Sequence, residues 1–342
     1  MNKNRGVFLS VDSERQQRQR ENPELSTPDT ALKVLTAGSK EPGTCRSNGK
    51  VPQPSGDFSK GPCACATCIT EMDDDWFSEH FNQSIQPLLS RKNSLLSEDT
   101  YNWWQWLQRE KDPANYSDVV QRLFEVIPDE EWYVDSGPGR CRTCAVVGNS
   151  GNLKGSSYGA RIDSHDFVIR MNHAPTLGYE DDVGSKTTHH LMYPESAKHL
   201  QNSTSLVLVP FKTLDLEWVI SALTTGTITQ TYIPVKSRIK VNKDKVLVYN
   251  PTFFKYIYDN WLENHGRYPS TGFLALMFAI HICDEVSVYG FGADMNGNWH
   301  HYWENNPGAG AFRHTGVHDG DYEYNITMLL ADKDKIKVFK GR

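Results

Sequence analysis

The stretch that decides the fold is Cys141-Arg142-Thr143-Cys144-Ala145-Val146-Val147-Gly148-Asn149-Ser150-Gly151-Asn152. It joins a pair of cysteines to a short apolar strand, which then breaks into a turn of glycines and small polar residues. Glycines let a backbone approach an anionic ligand closely, and the side chains and amides of such a turn donate hydrogen bonds to phosphoryl oxygens. The turn matches neither the three spaced glycines of dinucleotide folds nor the P-loop, so those nucleotide-binding folds are disfavoured.

Short apolar strands alternate with helical segments on either side of this turn. Strands are predicted at 145–147, 167–170, 206–209, 229–235, 245–249 and 286–289, and helices at 97–109, 118–127, 253–262 and 273–283. The alternation indicates an α/β fold around a mainly parallel sheet flanked by helices. Ligands of such sheets collect beyond the carboxyl ends of the strands, where Gly148–Asn152, Asn172 and Gly290–Gly292 would fall.

Four blocks of sequence, in the same order along the chain, resemble the animal sialyltransferases. The first comprises CAVVGNSGNL, DSHDFVIRMNHAPT, DVGSKTTHH and YPES between Cys141 and Ser196; the second is RYPSTG at 267–272 with YGFG at 289–292; the third is HYWE at 301–304, and the fourth is His318 with Glu323. The resemblance covers roughly residues 60–342. The stretches NWHHYWENN and GVHDGDYEYN are most similar to the β-galactoside α-2,3-sialyltransferases that act on Galβ1-3GalNAc.

This resemblance implies a single-domain variant of the GT-A glycosyltransferase fold for a catalytic domain at residues 63–342. It implies transfer of sialic acid from CMP-sialic acid, with inversion, to the 3-hydroxyl of the terminal galactose in Galβ1-3GalNAc glycans of glycoproteins or glycolipids. The expected partners are this donor and galactose-terminated acceptors, with no further cofactor. A non-catalytic module that binds sialosides or nucleotides is the alternative; such a module would keep the glycine turns and lose the histidines.

The binding residues are predicted partly from position and partly from the resemblance. Ser270, Thr271 and Gly272 precede an apolar helix, so Ser270 is read as its cap, and the free amides and dipole of that helix form an anion site. The resemblance implies that the cytidine nucleotide lies there. The predicted donor-binding residues are Asn149, Ser150, Asn172, Tyr193, Tyr232, Ser270, Thr271, Gly272 and Gly292, and the predicted acceptor-binding residues are Gln108, Tyr268, Trp299 and His301.

Two histidines are predicted to carry the chemistry. His318 lies in the glycine-punctuated loop Thr-Gly-Val-His-Asp-Gly-Asp, where no packing demand explains an imidazole. An imidazole titrates near the mildly acidic pH of the Golgi, so His318 is the predicted general base. His301, in a run too polar for a core strand, is expected to hydrogen-bond the departing CMP phosphate. His189 and His190 lie in a strand-like run and are read as structural histidines.

Seven cysteines and four N-glycosylation sequons indicate the secretory compartment. The pairs Cys65/Cys68 and Cys141/Cys144 allow a zinc site, but the roughly 70 residues between them far exceed the ~15–20 of a zinc ribbon, so disulfides fit better. The resemblance implies the bridges Cys144–Cys283, Cys63–Cys68 and Cys65–Cys141, which leaves Cys45 over. The sequons begin at Asn82, Asn115, Asn202 and Asn325.

Residues 1–62 differ in composition from the rest of the chain. They are rich in Ser, Pro, Gly, Lys, Glu and Gln and have almost nothing to bury, which predicts a disordered stem. No stretch approaches the ~20 apolar residues of a membrane span, whereas the family resembles type II Golgi membrane proteins with an N-terminal anchor. Either an alternative or incomplete N-terminus or another targeting route accounts for this difference, and the Golgi lumen is the expected location.

Charged residues argue against further classes of function. The net charge is −6, and no basic tract is long enough to follow a phosphate backbone, so nucleic-acid binding is disfavoured. Asp73-Asp74-Asp75 has the Asp-x-Asp spacing of metal-dependent transferases, but no strand precedes it, and we read it as a solvated acidic turn. A CMP donor carries one phosphate, for which side-chain and amide donors suffice, so no metal is predicted. A metal-dependent hydrolase is disfavoured because no HExxH spacing occurs.

Overall fold

One parallel sheet of seven strands organises the described part of the chain. The structure is a computed structural model, which describes residues 62–71, 73–294, 296–305 and 316–342. The strands are β1 Thr143–Val147, β2 Phe167–Met171, β3 His189–Met192, β4 Ser205–Leu208, β5 Val246–Val248, β6 Glu285–Tyr289 and β7 Lys337–Phe339. They lie in the order β5-β4-β3-β2-β1-β6-β7, and every neighbouring pair is parallel. The predicted α/β class with a mainly parallel sheet is confirmed.

The N-terminal predictions fall mostly on residues that the structure does not describe. The predicted stem, apart from its last residue Pro62, lies outside the described residues, and so does Cys45. In the ranges given above, no helix combines the length and the apolar character that crossing a membrane requires. The division into stem and catalytic domain therefore stays a prediction.

Nine helices accompany the sheet within the same described ranges. They are α1 Asp75–His80, α2 Glu98–Gln108, α3 Tyr116–Leu123, α4 Gly159–Asp163, α5 Glu180–Val183, α6 Thr213–Leu223, α7 Pro251–Tyr256, α8 Thr271–Ile282 and α9 Gly320–Asp332. The apolar helix α8 packs against β1, β2, β3 and β6 and is buried over almost its whole length. Neighbouring residues of β1, such as Ala145 and Val146, point to opposite faces and are both fully buried, as expected for a parallel sheet with both faces covered.

Five of the six predicted strands are found, with boundaries that differ by at most two residues. The strand predicted at 229–235 is wrong. That segment makes only an isolated bridge between Gln230 and Pro234, and a proline has no amide hydrogen for a ladder. β3 and β7 were not predicted as strands, although the run around His189 was recognised as strand-like.

The four predicted helices are present with shifted ends. The helix predicted at 118–127 is α3, which begins two residues earlier because the Asn115 side chain caps it by accepting a hydrogen bond from the Asp118 amide at 3.2 Å. The helix predicted at 253–262 is α7, followed by one π-helical turn at Ile257–Trp261. α6 and α9 were not predicted.

Three disulfides lie at the start of the described chain and near the starts of the central strands β1 and β6. They are Cys63–Cys68, Cys65–Cys141 and Cys144–Cys283, the pairings that the family resemblance implies. Cys144 lies near the start of β1, and Cys283 follows α8 just before β6. The third bridge therefore fixes the amino-terminal ends of two neighbouring strands.

The strand order creates a topological switch point between β1 and β6. From β1 the chain continues outward through β2 to β5, and it then places β6 and β7 on the opposite side of β1. At such a point the loops after the two central strands leave in opposite directions and open a crevice beyond the carboxyl ends. The turn at 148–152 follows β1, and Gly290–Gly292 follows β6, so both segments border this crevice.

Candidate active site

Most of the predicted site residues line a single crevice at the switch point. Those that line it are Asn149, Ser150, Asn172, Tyr193, Ser270, Thr271, Gly272, Gly292, Trp299, His301 and His318. Gln108, Tyr232 and Tyr268 lie outside this lining. The fold therefore brings together segments that are up to about 170 residues apart in sequence, as parallel strands ending at one edge of a sheet do.

The glycine turn after β1 packs directly against the segment after β6. A Cβ atom added to Gly148 would overlap the carbonyl oxygen of Gly290, so only glycine fits there. The Ser150 amide donates to the Gly290 carbonyl at 3.2 Å, which fixes the turn. Asn149 donates through Nδ2 to the carbonyl of Met171 at 3.3 Å, while its buried Oδ1 has no hydrogen-bond partner among the described residues. This buried acceptor at the crevice is available to a donor group of a ligand.

Asn172 ends the neighbouring strand β2 in a conformation suited to a site residue. Its φ of 57° lies in the left-handed region, which asparagine tolerates better than most residues. Its carbonyl oxygen accepts a hydrogen bond from Nε2 of His190 at 2.6 Å. Burial lowers the pKa of His190 to about 3, so its ring is neutral and its single N–H is on Nε2. The Asn172 Oδ1 is buried and has no partner in the described part of the chain.

The start of α8 supplies amide donors. Ser270 caps the helix as predicted, with Oγ accepting from the Phe273 amide at 3.1 Å. Ser270 is itself held by Glu323, whose Oε1 accepts from the Ser270 amide at 2.7 Å and whose Oε2 accepts from Ser270 Oγ at 2.5 Å. Burial raises the pKa of Glu323 to about 7. Sequence reasoning placed Glu323 in a motif with His318 but assigned it no role; α9 brings it to the start of α8.

His318 is fixed by a main-chain contact. Its Nδ1 lies 2.8 Å from the carbonyl oxygen of Tyr268, and its ring packs edge-on against the Tyr268 ring with centroids 5.0 Å apart. Because a carbonyl only accepts, Nδ1 carries the hydrogen, and the basic lone pair of the neutral ring is on Nε2. This is the tautomer that a general base at Nε2 requires.

His301 is held by a carboxylate and an aromatic ring. Its Nδ1 lies 3.0 Å from Oε1 of Glu304, and its ring stacks on Trp303 with centroids 4.4 Å apart and 9° between the planes. An isolated bridge with Ser150 attaches this segment to the glycine turn. Because a carboxylate only accepts, Nδ1 carries a hydrogen in this contact, which fixes the orientation of the ring and leaves Nε2 on the side away from Glu304. Sequence reasoning did not identify Glu304 as the partner.

The three predicted residues outside the crevice lining are Gln108, Tyr232 and Tyr268. They contact either His318 or Lys212. Tyr268 contacts His318, as described above. The Oε1 atom of Gln108 accepts from Lys212 Nζ at 2.5 Å, and the Tyr232 ring lies over the same ammonium at 5.2 Å. Lys212 was not recognised in the sequence because it carries no motif of its own.

The acidic run at 73–75 is structural. Asp73 forms an ion pair with Lys335, and Asp74 caps α1 and pairs with Lys333 at 2.6 Å. Asp73 and Asp75 are exposed, in keeping with the reading of this run as solvated, while the run itself leads into α1. In the ranges that the structure describes, no group of three or more His, Cys, Asp and Glu side chains is arranged to hold a metal ion.

Fold and site together are those of a glycosyltransferase that uses a nucleotide-activated sugar. A family model described as glycosyltransferase family 29 (sialyltransferase) matches residues 88–335. The chain belongs to this family, as the sequence blocks predicted.

Curated relatives and solved structures agree with this membership. The chain is 61% identical over 287 residues to CMP-N-acetylneuraminate-beta-galactosamide-alpha-2,3-sialyltransferase 1 of Gallus gallus, covering 83% of this chain and 84% of the relative. It is 61% identical over 283 residues to the Homo sapiens protein of the same name, covering 82% and 83%. A crystal structure of a mammalian sialyltransferase in complex with Gal-beta-1-3GalNAc-ortho-nitrophenol is 58% identical, with a TM-score of 0.76, and covers 82% of this chain and all of that one.

Proposed function

We propose that this protein transfers sialic acid from CMP-sialic acid to the 3-hydroxyl of the terminal galactose in Galβ1-3GalNAc glycans, with inversion at the anomeric carbon. The observation that carries the proposal is one crevice that combines His318, with a basic Nε2, and amide and side-chain donors suited to a phosphate. The names of the relatives and the acceptor analogue bound to the similar solved protein support this choice of donor and acceptor.

The donor is assigned to the glycine turn and the start of α8. The side chains of Asn149, Ser150 and Asn172 offer hydrogen bonds from the ends of β1 and β2, and the free amides at Thr271 and Gly272 offer the positive end of a helix. Together these groups suit one phosphate and its nucleoside without requiring a large cationic cluster. Tyr193 and Gly292 border the same crevice.

The reaction is assigned to the two histidines of the crevice. The acceptor oxygen attacks the anomeric carbon of sialic acid while Nε2 of His318 takes its proton. The bond from that carbon to the phosphate oxygen breaks on the opposite face, and CMP leaves with the electron pair. His301, whose ring Glu304 and Trp303 hold in place, donates a hydrogen bond from Nε2 of its protonated form to the departing phosphate and stabilises its charge.

The acceptor is assigned to Gln108, Tyr232 and Tyr268, which lie beside the base, and to Trp299 and His301, which line the crevice. Tyr232 is thus moved from the donor set to the acceptor side, because it lies with Gln108 on Lys212 and outside the crevice lining. The three disulfides support a lumenal site of action, for which the Golgi is the family's compartment.

The test is CMP release from CMP-sialic acid with a panel of acceptors: Galβ1-3GalNAc, Galβ1-4GlcNAc and a glycolipid ending in Galβ1-3GalNAc. We expect release to depend on Galβ1-3GalNAc and the product to carry sialic acid on the 3-hydroxyl of galactose. Binding of CMP-sialic acid without transfer to any of the three would favour the non-catalytic module instead. A preference for Galβ1-4GlcNAc would overturn the acceptor assignment alone.

A further inference from the structure

A buried ionic group lies beside the proposed acceptor site and takes no part in the mechanism above. Its members are Lys212, which precedes α6, Asp215 in the first turn of α6, and Glu195. Their side chains are only 4%, 0% and 3% exposed, respectively. Charges are buried to this extent only where neighbouring groups compensate them, so their arrangement has a structural or functional reason.

The Lys212 ammonium is surrounded by three acceptors. Its Nζ lies 2.6 Å from Oδ1 of Asp215, 2.5 Å from Oε1 of Gln108 and 3.6 Å from Oε1 of Glu195. The contact with Gln108 is a hydrogen bond, and the contacts with Asp215 and Glu195 are ion pairs. With two carboxylates against one ammonium, the group does not attract an anionic donor such as CMP-sialic acid, so a second phosphate site is an unsuitable interpretation.

The contact with Lys212 fixes which end of the Gln108 carboxamide faces outward. Lys212 carries no acceptor, so only the oxygen of the carboxamide can face it. The NH₂ group of Gln108 therefore points away from the ammonium, and it donates to no residue in the described ranges. Gln108 ends α2 and is half-buried, so this NH₂ group is placed to donate to a ligand.

The Lys212 ammonium also contacts an aromatic ring on the acceptor side, that of Tyr232. The Tyr232 ring lies over Nζ at 5.2 Å, a cation–π contact. The neighbouring Thr231 donates through Oγ1 to Oε1 of Glu195, which attaches this segment to the ionic group. Segment 229–235 has no ladder of its own, so these contacts are what place Tyr232 against the body of the protein. Tyr232 is 43% exposed and remains accessible to a sugar.

The group connects to the base through packed aromatic rings. Tyr193, two residues before Glu195, lines the crevice and packs edge-on against Phe211 at 5.7 Å. Phe211 packs against Tyr268 at 5.2 Å, and Tyr268 contacts His318. The side chains fixed by Lys212 thus belong to the wall that continues from the general base.

We propose that Lys212 is a positioning residue for the acceptor: it orients the Gln108 carboxamide so that its NH₂ group donates to a hydroxyl oxygen of the acceptor glycan, and it fixes the Tyr232 ring beside that sugar. Glu195 and Asp215 compensate its charge and hold it in place. This inference rests on the proposed function, because it assumes that a galactose-terminated glycan occupies this wall.

The first test compares Gln108→Glu with Gln108→Ala. Glutamate keeps an oxygen for Lys212 but offers no N–H outward, so both variants should raise the KM for Galβ1-3GalNAc by about 2- to 10-fold, the value of one hydrogen bond. The KM for CMP-sialic acid is measured in parallel, and an equal rise in the donor KM would contradict a role of Gln108 that is confined to the acceptor. If Gln108→Glu binds the acceptor like the wild type, the carboxamide presents its oxygen to the sugar, and the inference is wrong.

The second test is a double-mutant cycle of Lys212→Met and Gln108→Ala. If Lys212 acts through Gln108 and Tyr232, Lys212→Met should raise the acceptor KM more than Gln108→Ala does, and the double variant should match Lys212→Met alone. Independent, multiplicative effects would contradict a positioning role. Removing Lys212 leaves two buried carboxylates uncompensated, so Asp215→Asn is included in every arm if Lys212→Met does not fold. Lys111→Met, which removes an exposed lysine near Gln108, is the matched control and should change neither KM.

Wild-type activity separates this inference from the proposed function. If the wild type transfers nothing to Galβ1-3GalNAc, the proposed function is wrong, and the inference is overturned with it. If the wild type is active and the Gln108 and Lys212 variants keep its acceptor KM, only the inference is wrong.

Discussion

At the scale of single residues, burial divides the histidines into two kinds. Burial lowers the pKa of both His189 and His190 to about 3, and these neutral rings serve as hydrogen-bond partners inside the sheet. His301 and His318 line the crevice, each with Nδ1 on a fixed oxygen. The division was predictable, because His189 and His190 lie in a strand-like run and His318 lies in a loop between glycines. The oxygens that orient the rings were not, since the Tyr268 carbonyl comes from a distant segment and Glu304 carried no motif role.

His318→Ala tests the assignment of the base. Turnover should fall by about 10²- to 10⁴-fold, because no other group takes the acceptor proton, whereas CMP affinity should stay near that of the wild type. Steady-state kinetics with CMP binding by calorimetry measures both quantities. His199→Ala, at an exposed position, is the control and should keep full turnover. Near-normal turnover of His318→Ala with an unchanged pH profile would assign the base to another residue.

Glu323 should make the stability of the protein depend on pH. Burial raises its pKa in the folded state from 4.5 to about 7. The folded state therefore keeps a proton that the unfolded state has lost between pH 4.5 and about 7, and the stabilisation present below pH 4.5 is lost across this window as pH rises. Relative to Glu323→Gln, the wild type should lose at most about 1.4 kcal/mol of unfolding free energy per pH unit.

Urea unfolding of both proteins at several pH values measures this difference. Glutamine can still accept from the Ser270 amide and can donate to Ser270 Oγ, so the variant should fold. Glu125→Gln, at an exposed position, is the matched control and should track the wild type at every pH. Parallel stability curves for wild type and Glu323→Gln would mean that Glu323 is ionised in the fold throughout.

At the scale of elements, the sequence predicted helices and strands best where all their residues are apolar and least well where they contain many polar residues. β1 and α8 are continuous apolar runs, and both were found within two residues of their ends. β3 contains two histidines, so its run was read as strand-like without being predicted as a strand, and α9, which is rich in acidic and aromatic residues, was not predicted. The predicted strand at 229–235 failed for the opposite reason: its β-branched residues favour a strand, but tertiary contacts to the Lys212 group determine its conformation.

Gly148→Ala tests the close approach of the loops after β1 and β6. A Cβ atom at 148 overlaps the Gly290 carbonyl and approaches Phe291, so the turn must move away from the donor. A displacement of about 1 Å at a substrate-positioning element costs on the order of 10²-fold in turnover. CMP affinity should fall as well, because Asn149 and Ser150 move with the turn. Gly139→Ala, where a Cβ atom meets nothing within 4 Å, should behave like the wild type. Equal kinetics of the two variants would contradict the role of the turn.

At the scale of the whole molecule, the Cys144–Cys283 disulfide and several ion pairs lie at the amino edge of the sheet, opposite the crevice. The Cys144–Cys283 bridge lies at the beginnings of β1 and β6. Beside it, Arg140 donates to both oxygens of the buried Asp284 at 2.7 and 2.5 Å. Asp73 pairs with Lys335 just before β7 starts. The carboxyl edge carries the glycine turn, the start of α8 and the histidines. The amino edge is thus cross-linked, while the crevice at the carboxyl edge presents polar groups to a substrate.

We predict that transfer is independent of metal ions, because the donor groups of the crevice and the acidic run at 73–75 lie at opposite edges of the sheet. The sequence has three Asp-x-Asp spacings, at 73–75, 319–321 and 332–334. The first lies at the amino edge, where Lys335 and Lys333 pair with Asp73 and Asp74, and the third comes just before β7 at the same edge. In the second, which borders the crevice, Asp319 caps α9 by accepting a hydrogen bond from the Tyr322 amide. The donor's single phosphate meets amides and side-chain donors instead. We therefore expect full transfer to Galβ1-3GalNAc after exhaustive dialysis against EDTA and no gain on adding Mn²⁺, and we expect Asp73→Asn to lower the unfolding free energy without changing the KM for CMP-sialic acid. Activity that EDTA abolishes and Mn²⁺ restores would show that a divalent cation is needed, and a raised donor KM in Asp73→Asn would place that cation at the acidic run.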